Sequence, residues 1–166
     1  MRRLAALLAV TLVLPGCGLH PLYAGGGSGA VATTLARVEV APIQGKSGWL
    51  MANALRDRFA ANGATPLYRL EVKLDDNVIG LGVRADDSVS RERRTLRARY
   101  QLIDLAKGTV LLDATAGSDA GIDVVNSEYA TIAAENTALE RLSDIVADQI
   151  VSRVALYAQR APAPTP

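Results

Sequence analysis

The sequence predicts an α+β fold: a two-layer sandwich with two helices packed on one face of a four-stranded, mostly antiparallel sheet. Four segments alternate apolar and polar residues as half-buried strands do, and two repeat apolar residues every three or four positions as amphipathic helices do. Their order is β-α-β-β-β-α, and the hairpin signal Ala106-Lys107-Gly108 joins the last two strands. A sheet with one apolar face and two helices to cover it forms two layers.

The composition fits a single globular domain without catalytic chemistry. The chain has 166 residues, 49% hydrophobic and 21% charged, with a formal net charge of +1. One cysteine and one histidine exclude an internal disulfide framework and leave little for a metal site. His20 has no acid or nucleophile nearby in the sequence to form a triad, so we expect no enzyme activity, no metal and no cofactor.

The first predicted strand covers residues 34–43, and a well-specified helix follows it. Ser47 is the predicted N-cap of this helix and Asn62-Gly63 its stop signal. Its apolar face carries Met51, Ala52, Leu55 and Phe59.

The remaining elements are three strands and a long helix. Alternation covers residues 66–76, 94–104 and 109–119, and helical spacing covers residues 127–159.

Two stretches near the first of these three strands could suggest ligand sites. GLGVRA at residues 80–85 lacks the third glycine and the helix of a dinucleotide loop, so we interpret it as a bend or β-bulge. Asp75-Asp76 and Asp86-Asp87 lack the spacing of a calcium loop, and we interpret them as solvated loop acids.

The amino terminus has the pattern of a secretory signal peptide. Arg2 and Arg3 precede an apolar run over residues 4–14, which is shorter than the roughly 20 residues that span a bilayer. Leu14-Pro15-Gly16-Cys17 ends this segment and resembles a bacterial lipobox, although Pro15 departs from the commoner small or β-branched residue. We therefore expect residues 1–16 to be removed.

The resemblance to a lipobox implies that Cys17 carries S-diacylglycerol and an N-palmitoyl group, which anchor the chain in a membrane. An ordinary signal peptide followed by a free thiol is the alternative. We expect residues 17–33 to be a flexible tether, residues 34–160 the single domain, and residues 161–166 a disordered Pro-rich tail. Gly18 rather than Asp follows the cysteine, which favours the outer membrane and a periplasm-facing domain.

The segment RERRTLRARY has an unusual density of arginine. Strand alternation places four arginines on one face and turns Arg94 to the other. The four are Arg91, Arg93, Arg97 and Arg99. They are either a solvated outer face or a site for phosphate or carboxylate groups, which guanidinium groups bind through paired donors. The export signal argues against nucleic acid as a partner.

Three motifs in order resemble the LptE family of lipopolysaccharide-assembly lipoproteins. They are CGLHPLYAGG after the signal, YRLEV on the second strand, and YATIAAENTALERLSDIVADQIVSRVALY on the last helix. The HPLY opening is similar to alphaproteobacterial members. The order of strands and helices also matches that family, and the resemblance covers nearly all of the mature chain.

The resemblance implies a non-enzymatic outer-membrane lipoprotein that plugs the β-barrel LptD, helps it assemble, and binds lipopolysaccharide during transport to the cell surface. Arg91, Arg93, Arg97 and Arg99 then become candidates for contact with lipopolysaccharide or with the barrel wall. The alternative function is that of an auxiliary lipoprotein in a periplasmic phospholipid-transport complex.

Overall fold

A computed structural model describes residues 29–59, 63–83, 89–125 and 127–160. The elements are α1 Ala30–Leu35, β1 Val38–Val40, α2 Gly45–Phe59, β2 Tyr68–Val83, β3 Val89–Asp104, β4 Val110–Asp123 and α3 Glu128–Arg160. The predicted α+β sandwich is confirmed, with one short helix added at the start. The predicted signal peptide, Cys17 and the Pro-rich tail lie outside the described residues.

The sheet has the order β1-β2-β3-β4. Short β1 pairs in parallel with the beginning of β2, from Val38 opposite Tyr68 to Val40 opposite Leu70. The two long hairpins are antiparallel, and the second turns at Gly108, whose φ of 67° suits glycine. Asp104 supports this turn, because its Oδ1 accepts the N–H groups of Ala106 and Lys107.

The core lies between the even-numbered side chains of the sheet and the two long helices. Four side chains of β3 are almost completely buried: Leu96, Ala98, Tyr100 and Leu102. The 33-residue helix α3 covers them with apolar residues at spacings of three and four, among them Leu139, Leu142, Val146, Ile150 and Val154. The predicted inner face of α2 is confirmed, since Met51, Ala52, Leu55 and Phe59 are all buried.

The beginning of the domain differs from the prediction. The alternation predicts a strand over residues 34–43, but α1 occupies its first part and β1 contains only Val38–Val40. Val31 and Leu35 of α1 are buried, and α1 packs against α3, so the packed part of the chain begins before Thr34. Tertiary burial of these apolar residues outweighs the local alternation that predicted a longer strand.

The start of α2 also differs from the prediction, because Ser47 lies inside the helix rather than at its N-cap. The helix begins at Gly45, whose φ is 83°. A Cβ atom at Gly48 would come within 2.7 Å of the backbone of Ile43, so only glycine lets the chain fold back this tightly. Close approach to the preceding linker, rather than side-chain capping, sets the start of α2.

The glycine-rich stretch is strand rather than a bend. β2 continues from Tyr68 through Val83 and remains paired with β3, so Gly80 lies opposite Glu92. Gly82 has a φ of 69°, and its carbonyl accepts the hydroxyl of Ser90 at 2.8 Å. Gly82 itself has no partner in the ladder, but the pairs on either side of it, Leu81 with Arg91 and Val83 with Val89, keep the same register. Asp86-Asp87 lie outside the described residues.

None of the described helices is long and apolar enough to cross a membrane.

Candidate functional site

The side of the sheet away from the helices is the candidate site. Odd-numbered residues of β2, β3 and β4 project from it, because successive side chains of a strand alternate between its two faces. We call this surface the open face. All four arginines singled out from the sequence are exposed on it, and they lie between residues 91 and 99 of β3.

The open face is balanced in charge. Six basic and six acidic side chains project from the outer side of the four strands: Arg69, Lys73, Arg91, Arg93, Arg97 and Arg99 against Glu39, Glu71, Asp75, Asp113, Asp119 and Asp123. Net charge therefore does not attract an anion to this surface. What matters is which of the arginines already have a carboxylate partner.

Two of the four arginines are paired. Nε of Arg91 lies 3.0 Å from Oδ1 of Asp123. Arg99 makes a two-point contact with Asp113, at 3.3 and 3.0 Å, and the amide of Gln101 donates to the same carboxylate at 2.8 Å. These contacts lower the pKa of Asp113, chiefly through the hydrogen bond from Arg99. Arg91 and Arg99, at the two ends of the arginine row, thus form ion pairs with aspartates of the neighbouring strand β4.

Arg93 and Arg97 differ from their neighbours. Within the described residues neither forms an ion pair, although Asp75 lies directly opposite Arg97 in the ladder. Arg93 has Ile79 on one side and Gly121 on the other. The two guanidinium groups belong to residues about 13 Å apart along an ideal strand. They retain free donors for a ligand that offers phosphate or carboxylate oxygens.

Shallow grooves lie beside this row. One of about 480 Å³ is bounded by Ala41, Pro42, Lys73, Arg99 and Gln101. Another of about 450 Å³ runs from Lys73 past Arg97 to Gly117 and Gln149 at the edge of the sheet. Both are open to solvent, so they suit an extended ligand or a partner surface better than an enclosed small molecule.

Arg94 faces the helix layer, as alternation predicts, and there it forms the best-buried ion pair among the described residues. Its two donors contact both oxygens of Asp76 at 2.8 and 2.7 Å, and a third donates to the backbone carbonyl of Glu135 at 3.1 Å. The side chains of Arg94 and Asp76 are only 12% and 19% exposed. The ion pair joins β3 to β2, and the hydrogen bond to Glu135 holds α3 to the sheet. Asp76 is therefore not the solvated loop acid that the sequence suggested.

Glu92 lies two residues before Arg94 on the same side of β3 and approaches Glu135 of α3. Its Oε2 is buried and has no hydrogen-bond partner in the described part of the chain. Burial raises the pKa of Glu92, and the negative charge of Glu135 raises it further. Glu92 and Glu135 thus repel each other when both are ionised.

The sequence did contain a signal for this contact between sheet and helix. Asp76, Glu92 and Arg94 are charged residues at positions where the alternation otherwise places apolar side chains. A charge on the buried face needs a partner, so an acid and an arginine at such positions on adjacent strands predict an ion pair. The hydrogen bond from Arg94 to the Glu135 carbonyl depends on where α3 crosses the sheet, and no local sequence pattern encodes that position.

The described residues contain no group of three or more potential ligands that could hold a metal ion. The open face presents guanidinium, carboxylate and amide groups, which can donate and accept hydrogen bonds.

Three solved structures that are similar to this fold are described as bacterial lipoproteins. A candidate lipoprotein from Caulobacter crescentus CB15 matches 80% of this chain and 100% of its own, with a TM-score of 0.69 and 24% identity. A minor lipoprotein from Acinetobacter baumannii matches 78% of this chain and 94% of its own (TM-score 0.56, 18% identity). Rare lipoprotein B from Shewanella oneidensis matches 72% and 92% (TM-score 0.53, 11% identity). These similarities establish the fold.

The family follows from the sequence match. The pattern of the LptE family, described as lipopolysaccharide-assembly, matches residues 35–154, well over half of the chain. The chain belongs to the LptE family, which is a family of assembly lipoproteins and not of enzymes. No curated protein matches it in sequence.

Replacing Arg94 with methionine is expected to lower the free energy of unfolding by about 2–4 kcal/mol, because it leaves Asp76 charged, largely buried and unpaired. The matched change Arg93→Met on the open face is expected to cost less than about 0.5 kcal/mol. Urea denaturation of both variants measures the difference. Equal losses in the two variants would contradict the structural role of Arg94.

Glu92→Gln is expected to change the pH dependence of stability. Since the folded-state pKa of Glu92 is raised, its neutral form stabilises the fold at low pH, and this contribution is lost as pH rises above the ordinary value of 4.5. The variant should lack that loss and have a higher thermal midpoint than the wild type at neutral pH. Exposed Glu140→Gln on α3 is the control. A wild-type midpoint that does not fall relative to Glu92→Gln as pH rises would overturn the assignment.

Proposed function

We propose that this protein is a non-enzymatic outer-membrane lipoprotein that plugs and helps assemble the LptD β-barrel and binds lipopolysaccharide on its way to the cell surface. Membership of a lipopolysaccharide-assembly family is the observation that carries this proposal. The fold supports it, because none of the described helices covers the long polar face of the sheet, while the other face holds the core.

Arg93 and Arg97 are the proposed contacts with lipopolysaccharide. Its phosphates and acidic sugars are anions that accept paired hydrogen bonds from guanidinium groups. These two arginines have donors that no carboxylate of the described residues occupies, whereas Arg91 and Arg99 must first release Asp123 and Asp113. Arg93 and Arg97 therefore bind lipopolysaccharide directly, whereas Arg91 and Arg99 hold the neighbouring aspartates in place. The exposed Ile79 next to Arg93 adds apolar surface for an amphipathic ligand.

The charge balance of the open face also suits a polar barrel wall. A surface with acids and bases interspersed offers hydrogen bonds of both kinds without strong attraction to any one anion. A partner wall can therefore contact Lys73, Asp75 and Asp119 while the ligand contacts the free arginines.

Reversing both free arginines tests the site. Arg93→Glu with Arg97→Glu is expected to weaken lipopolysaccharide binding about a hundredfold or more, because each of the two lost charge-assisted contacts contributes about 1.5–3 kcal/mol. Arg56→Glu with Arg141→Glu on the helices makes the same change in net charge and is the control. Binding of labelled lipopolysaccharide and pull-down in mild detergent are measured together, with circular dichroism to verify folding.

The wild type should recover a large outer-membrane β-barrel in that pull-down. Recovery of an inner-membrane transport complex in its place would support a phospholipid-transport role and contradict the proposal. Loss of folding in the Arg93 and Arg97 double variant would assign these side chains a structural role, which their exposure argues against.

We further propose that processing before Cys17 leaves a lipidated cysteine that anchors the domain. Several acyl chains, each contributing about 0.8 kcal/mol per buried CH₂ group, hold a protein in a membrane far more firmly than one chain does. Mass spectrometry of the mature amino terminus should show diacylglycerol and a third acyl group on Cys17, and Cys17→Ala should abolish both. An unmodified thiol at residue 17 of the wild type would refute lipidation, whereas residual membrane association of the variant through a partner would not.

A further inference from the structure

The outer edge of β4 is closed by a side chain at its centre. Among the described strands none pairs with this side of β4, which ends the sheet. Gln149 of α3 reaches around the edge, where its Oε1 accepts the N–H of Gly117 at 3.2 Å and its Nε2 donates to the carbonyl of Gly117 at 3.4 Å. A side-chain amide thus makes both hydrogen bonds that an added strand would make at this residue.

The backbone groups around Gly117 show how an added strand would bind. In an antiparallel ladder each residue directs its N–H and C=O to the same side, and the side alternates along the strand. Since Gly117 directs both groups outward, Thr115 and Asp119 do so too. β4 is 14 residues long, and a long edge with outward backbone groups is the template on which another strand pairs.

The sequence of β4 is complementary to itself. With antiparallel pairing centred on Gly117, Asp119 lies opposite Thr115 and Asp113 opposite Gly121, so no acid faces an acid. On the helix side, Ala114 would lie opposite Ala120. Gly117 would exchange both hydrogen bonds with Gly117 of a second copy, and those are the two groups that Gln149 now occupies.

The flank of α3 beside this edge also fits a second copy. Ile145, Gln149, Ser152 and Leu156 follow one another at spacings of four, three and four, so they share one stripe of the helix. Ile145 is 44% exposed. A groove of about 450 Å³ lies between this stripe and β4, with Thr115 and Ala116 on its strand side. Pairing of two β4 edges would bring the two stripes together and cover Ile145.

We propose that the two hydrogen bonds from Gln149 to the backbone of Gly117 block strand pairing at the β4 edge and so keep the protein monomeric. When these hydrogen bonds are removed, β4 of a second copy pairs at this edge. The inference concerns self-association and does not depend on the proposed role in lipopolysaccharide assembly. Its failure would leave that role untouched.

Sedimentation equilibrium of the full chain in density-matched detergent is the test. Wild type should sediment as a monomer, and Gln149→Ala should show a concentration-dependent doubling of mass. Ser152→Ala, on the same stripe but without a hydrogen bond to the edge, should remain monomeric. Thr115→Pro added to Gln149→Ala should restore the monomer, because proline removes an outward N–H without breaking the ladder to β3.

Hydrogen exchange at Gly117 provides a second measurement that needs no dimer. At low protein concentration the amide of Gly117 should exchange faster in Gln149→Ala than in the wild type, while that of Ala116, directed toward β3, should not change. A dimeric wild type, a Gln149→Ala variant that stays monomeric at every concentration, or a dimer that survives Thr115→Pro would each overturn the proposal.

Discussion

Burial of the even-numbered face of β2, β3 and β4 beneath α3 determines where the other side chains of the sheet point. Since the side-chain period of a strand is two, a slip of one residue would expose Leu96 and Tyr100 and bury the arginine row. The register is therefore held by apolar burial along long ladders. The open face, with its free arginines, follows directly from this constraint on the opposite side of the same strands.

Charged side chains on the buried face of the sheet add polar contacts to the apolar packing between the sheet and α3. Arg94 binds Asp76 and the Glu135 carbonyl at once, which ties β2, β3 and the first turns of α3 together. Beside it, Glu92 and Glu135 place two acids close together, so the same region contains one attraction and one pH-dependent repulsion. The end of the sheet under the start of α3 is consequently more sensitive to ionisation than the aliphatic centre.

On the open face, ion pairing rather than net charge decides which guanidinium groups keep free donors. The acids and bases of this face are equal in number, and among the four arginines that β3 presents on it, Arg93 and Arg97 have no carboxylate partner in the described residues. The edge of β4 follows a similar logic, because Gln149 occupies backbone groups that would otherwise pair with another strand. In both places, the groups available to a ligand or a further strand are those that have no hydrogen-bond or ion-pair partner within the protein.

Much of this architecture was determined by the sequence alone. Periodicities of two and near four identified the three long strands, both long helices and the orientation of Arg94, because alternation and helical spacing directly reflect which face is buried. The family resemblance was also visible in ordered motifs, and the match over residues 35–154 confirms it. Local patterns failed at α1, at the start of α2 and at residues 80–83, where contacts with distant segments outweigh short-range preference.

Tertiary structure alone decided which charged groups are free and which are occupied. The sequence listed four equivalent arginines, but only the ladder register brings Asp123 and Asp113 to two of them. Likewise Gln149 is 32 positions from Gly117, and only the path of α3 along β4 brings them together. Hydrogen bonds and ion pairs act over a few ångströms, so their partners depend on how elements distant in sequence pack.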